Sequence, residues 1–64
     1  MDKLQVGDRV RYIGSPEWQG IVGIVEQCHQ IPDLGGYRLL IVNCDRNDRG
    51  VQELSGAERF FEKE

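Results

Sequence analysis

Hydrophobic and polar residues alternate along the first part of the chain. The apolar members of this pattern share one parity: Leu4, Val6, Val10 and Tyr12. A period of two is typical of a strand with one face buried, so residues 4–13 are predicted to form a half-buried strand. Gly7 and Asp8 interrupt the pattern and predict a kink or bulge near its start.

Four further short strands follow, separated by turns that contain Gly, Pro or polar residues. Their predicted ranges are 21–30, 37–44, 51–54 and 59–62. The last ten residues, 55–64, also fit a helical turn, because several of them are fair helix formers. Five short strands at this spacing favour an all-β fold, either a small barrel or a strongly bent sheet, in which no long edge is left exposed.

Length and charge limit the function classes. The chain has 64 residues, a hydrophobic fraction of 39% and a formal net charge of −3, which fit one small domain over residues 1–64. No segment approaches the roughly 20 apolar residues of a membrane span, and the first residues contain no apolar signal segment, so we expect a cytoplasmic protein without a membrane partner. The acidic balance disfavours a general nucleic-acid binder.

Two segments that contain glycines form the predicted first hairpin. Residues 6–14 read Val-Gly-Asp-Arg-Val-Arg-Tyr-Ile-Gly, and residues 20–25 read Gly-Ile-Val-Gly-Ile-Val. This hairpin resembles that of SH3-like barrels of the KOW type. Residues 40–45 are similar to the third strand of such barrels, and together these segments cover about a third of the chain. The resemblance implies a five-stranded SH3-like barrel with a 3-10 turn before the last strand. RNA-binding KOW domains carry basic residues in the loop between the first two strands, whereas this loop offers Glu17 and Gln19.

The third predicted strand is apolar on both faces. If Gln30 and Tyr37 oppose each other across the hairpin, Leu40, Val42 and Cys44 share a core face with Val25. The opposite face then presents a second apolar set: Ile24, Cys28, Leu39 and Ile41. Either Phe60 and Phe61 cover this second face, or it forms a docking or homodimer surface.

Trp18 stands in the loop between Pro16 and Gly20. A tryptophan in such a loop is either a plug over the barrel end or an exposed anchor for a partner. The sequence leaves both roles open.

Three arginines are candidates for contact with nucleic acid. Arg9 and Arg11 are predicted on the outer face of the first strand, where Arg38 could extend them into a small basic stripe. The alternative is an edge strand protected by its charges.

The remaining reactive residues give no recognisable catalytic or metal-binding pattern. Cys28 and Cys44 are predicted on opposite faces and therefore as free thiols, and they lack the close spacing of a zinc site. His29 is the only histidine, and the two serines, Ser15 and Ser55, lie in predicted turns. We expect no catalytic residues, no cofactor and no bound metal.

Two functional hypotheses follow from these patterns. The first is a non-catalytic protein-binding module or accessory subunit, docking through Ile24, Leu39 and Ile41 or through Trp18. Its partner would be a protein with a basic or apolar patch. The alternative, implied by the KOW resemblance, is contact with RNA or the ribosome through the arginine stripe.

Overall fold

The computed structural model describes residues 3–64, with the backbone alone for Leu34. Met1 and Asp2, with which the predicted domain of residues 1–64 begins, lie outside the described residues. The described chain forms five strands: β1 (Arg9–Tyr12), β2 (Val22–Ile31), β3 (Tyr37–Cys44), β4 (Glu53–Ala57) and β5 (Phe61–Lys63). The predicted all-β class is therefore confirmed.

Two 3-10 turns connect strands. One spans Pro32–Leu34 between β2 and β3, and the other spans Glu58–Phe60 immediately before β5. The 3-10 turn predicted before the last strand is confirmed. No helical segment in the described part of the chain has the length and apolar character needed to cross a membrane.

All neighbouring strands pair antiparallel, and their order in the sheet is β4-β3-β2-β1-β5. In the described residues no ladder joins β4 to β5, so hydrogen bonds do not close the sheet. The arrangement is compatible with a small barrel-like fold in which the sheet bends around one core.

The core lies on the inner face of the bent sheet. Its most deeply buried side chains are Val10, Val25, Leu40 and Val42, each no more than 2% exposed. The ladders bring these β-branched and aliphatic residues together from β1, β2 and β3, because side chains opposite each other in antiparallel strands share a face. Their burial accounts for the period-two pattern of the sequence.

β1 is shorter than the predicted strand over residues 4–13. Gly7 adopts a positive φ of 97°, and the Asp8 amide donates to the carbonyl oxygen of Gln5 at 3.0 Å, so a turn precedes Arg9. The turn also breaks the side-chain alternation. Val6, predicted to face the core with Val10, is 61% exposed.

A bulge at Glu26 changes the predicted register of the β2–β3 hairpin. The predicted register, with Gln30 opposite Tyr37, places Gly23 opposite Cys44 and Val25 opposite Val42, and these two pairs form. The register then shifts by one residue, so Tyr37 pairs with Ile31 and not with Gln30. Cys28 pairs with Leu40 instead of Leu39 and packs against the core. The prediction that the two cysteines face opposite sides is therefore wrong, because the extra residue in the bulge reverses the face of every β2 side chain that follows it.

Candidate functional site

The outer face of the sheet carries an apolar patch centred on β3. Leu39 and Ile41 flank the fully buried Leu40 and point to the opposite side, where both are half-buried. Ile24 of β2 is also half-buried and pairs with Asn43, two residues along β3 from Ile41. We call Ile24, Leu39 and Ile41 the outer patch. The structure thus brings three of the four predicted protein-binding residues onto one face.

Phe60 and Phe61 lie on the other side of the sheet. Phe61 is 5% exposed within the core, and Phe60 packs against that core. Gly56, which pairs with Leu40, explains their position, since a Cβ added there would lie 3.4 Å from Cδ2 of Phe60. The two rings fill the space on the inner face that the glycine leaves open. Of the two alternatives, cover by these phenylalanines is therefore wrong for the outer patch.

Val6 extends the apolar character of this region and was not predicted as a site residue. Val6 and Ile24 line one groove together with Glu26, Asn43 and Asp45. Val6 is the most exposed large hydrophobic residue of the described chain. The kink predicted at Gly7 was the available signal that Val6 could leave the core face.

Trp18 combines features of both predicted roles, the plug over the barrel end and the exposed anchor for a partner. It lies in the turn between β1 and β2 and is 38% exposed. Its ring meets the buried Tyr12 edge-on, with the ring centroids 6.3 Å apart and the planes at 67°. The indole therefore has a packing partner in Tyr12 and is also partly accessible to solvent.

Arg9 and Arg11 lie on the outer face, and each is held by acidic residues. Arg9 pairs with Asp45 at 2.7 Å and with Glu64 at 3.7 Å, while Arg11 binds Glu62 on β5. Hydrogen bonding and charge attraction from Asp45 and Glu62 raise the pKa of Arg9 and Arg11, respectively. These carboxylates offset the positive charge that a phosphate would contact.

Arg38 lies on the inner face, apart from the other two arginines. Its guanidinium binds Glu58, donates to the carbonyl oxygen of Leu4 at 2.8 Å and reaches the sulfur of Cys28 at 2.9 Å. Glu58 also accepts the Leu4 amide at 2.9 Å. The structure therefore does not form the predicted stripe of Arg9, Arg11 and Arg38. Arg38 shares parity with the core residues Leu40 and Val42, which was the signal for its inward position.

The cysteines and the histidine occupy separate environments. Cys28 and Cys44 are free thiols, both half-buried against the core. Burial raises the pKa of Cys44, and the nearby charges of Asp45 and Glu53 raise it further. His29 is exposed on β2, where its ring Nε2 lies 2.8 Å from the side-chain oxygen of Gln27. Within residues 3–64, no group of three His, Cys, Asp or Glu residues is placed to hold a metal ion.

Comparison of the chain with known protein families, curated proteins and solved structures found no match.

Proposed function

We propose that this protein is a non-catalytic protein-binding module built on an SH3-like small barrel. The strand order β4-β3-β2-β1-β5 and the 3-10 turn before β5 support this fold, together with the sequence resemblance of the first hairpin. Because a fold of this size hosts many functions, the functional argument rests on its surface.

The outer patch carries the proposal. In a sheet with one core, an apolar strand needs only one buried face, yet β3 presents Leu39 and Ile41 on the face opposite Leu40. Phe60 and Phe61 do not cover these side chains, because they pack on the inner face. Apolar residues left without cover on a sheet face are typical of docking surfaces, and their burial on binding supplies the favourable free energy.

The partner proposed for this surface is a protein with an apolar or basic patch. The chain carries a net charge of −3, so a basic partner is attracted and a second copy of the chain is repelled. The RNA alternative receives less support, because Arg9 and Arg11 are each paired with carboxylates and Arg38 faces the core.

Capture from nuclease-treated native lysate at low and high salt tests the proposal. The baits are the wild-type chain, Ile41→Asp and, as a control that adds the same charge in the β1–β2 loop, Gln19→Asp. We expect a protein partner that persists at high salt with wild type and Gln19→Asp but is lost with Ile41→Asp. A partner that is captured only without nuclease and only at low salt would contradict the proposal and favour binding through phosphate contacts.

A further inference from the structure

The outer face contains a groove in which aliphatic and acidic side chains meet. It has a volume of about 440 Å³ and lies between the turn before β1 and the paired strands β2 and β3. Val6 and Ile24 supply its apolar lining, and Glu26 and Asp45 supply carboxylates. Since Ile24 also belongs to the outer patch, the groove is continuous with the proposed docking surface.

The carboxylate of Glu26 is the charged group of this groove that is open to a partner. Glu26 occupies the bulge in β2 and is exposed, and one of its oxygens accepts a hydrogen bond from the Asn43 amide at 3.2 Å. Among residues 3–64, no lysine or arginine forms an ion pair with it. Asp45 differs, because Arg9 already holds it at 2.7 Å.

The surroundings of the groove are acidic overall. Arg9 pairs with Ile24 in the ladder, but Asp45 and Glu64 both contact its guanidinium. Glu53 pairs with Asn43 on the far side, on the same face of the sheet. Two copies of the chain docked through this face would bring these carboxylates together, which opposes self-association.

From this arrangement we propose that the groove binds a segment of a partner protein that places an aliphatic side chain next to a lysine or arginine. The aliphatic group contacts Val6 and Ile24, and the cation pairs with Glu26. This inference rests on the proposed function and specifies the chemistry of the partner.

Titration of the isotope-labelled chain with three blocked tripeptides tests the inference by NMR. Each peptide has two isoleucines, and the central residue is arginine, glutamine or glutamate. With the arginine peptide we expect the amide signals of Val6, Gly7 and Ile24 to shift, and we expect binding about two- to fivefold tighter than with the glutamine peptide, as is usual for an exposed ion pair.

Two variants with equal net charge isolate the role of Glu26. Glu26→Gln should abolish the preference for arginine, whereas Glu17→Gln, in the β1–β2 loop, should retain it. Val6→Ser should weaken all three peptides alike, and its substitution should leave the fold intact because Val6 is largely exposed.

Three results would overturn the inference. They are shifts that avoid the groove at millimolar peptide, a preference that survives in Glu26→Gln, or groove signals that move with the concentration of the chain alone, which indicate a second copy as occupant. If the inference fails while Ile41→Asp still abolishes partner capture, the proposed docking function is retained. Only the binding of an aliphatic side chain next to a lysine or arginine in this groove is then rejected.

Discussion

Adjacent leucines on β3 allow the two faces of the sheet to be compared by one chemical change. Leu40 is fully buried, whereas Leu39 is half-buried on the outer face. Leu40→Ala removes core contacts and leaves a cavity, which costs about 2–5 kcal/mol. Leu39→Ala removes the same atoms from a face that is partly open to water, and we expect a loss of about 1 kcal/mol or less. The free energy of unfolding of a 64-residue domain is about 3–10 kcal/mol. Leu40→Ala should therefore remove a large part of the stability, and Leu39→Ala a small part.

Equilibrium unfolding in urea, followed by circular dichroism, measures both losses. The midpoint should fall far more for Leu40→Ala than for Leu39→Ala, with similar dependence of the free energy on urea. If Leu40→Ala does not fold in buffer and Leu39→Ala does, this difference also supports the assignment of Leu40 to the core face. Equal losses, or a larger loss for Leu39→Ala, would refute the assignment of the inner and outer faces.

Three other predictions concern the inner side of the fold. Gly23→Ala should destabilise by about 1–3 kcal/mol in thermal unfolding, because a Cβ there would lie 2.8 Å from the Cα of Cys44; an unchanged midpoint would contradict this close packing. Glu58→Gln should cost about 1–3 kcal/mol, because Arg38 loses its charged partner, and a neutral effect would show that the contact contributes little. The raised pKa of Cys44 means that its contribution to stability is complete below pH 9.0, the ordinary thiol value, and falls as pH rises further. Cys44→Ala should remove this alkaline loss in a pH series of urea unfolding curves, and a loss that persists would assign it to other groups.

Parts of the fold that depend on continuous patterns could be predicted from the sequence. The bounds of β3, Tyr37–Cys44, agree with the prediction because its apolar run is uninterrupted and polar turns flank it. β4 instead extends to Ala57, through Ser55 and Gly56, which were predicted as a turn. There the pairing with β3 outweighs the local turn preference of serine and glycine.

The bulge at Glu26 could not be predicted from the alternation of apolar and polar residues. A bulge has no simple sequence signal, and beyond it every side chain of β2 changes face relative to the prediction, which explains the error for Cys28. Ile24, Leu39 and Ile41 were unaffected, because Ile24 precedes the bulge and the two β3 residues are fixed by the burial of Leu40. The candidate site was therefore predictable in its centre but not at its margin, where the turn at Gly7 exposes Val6.

The proposed docking surface is the outer patch and not the Trp18 loop. The most direct test is the dissociation constant of the captured partner with the wild-type chain, Ile41→Asp and Trp18→Ala, each shown to be folded by circular dichroism. We predict that Ile41→Asp weakens binding at least about tenfold, as expected for a residue at the centre of an interface, and that Trp18→Ala changes it little. Loss of binding with Trp18→Ala and unchanged binding with Ile41→Asp would contradict the claim and place the interface on the indole beside Tyr12.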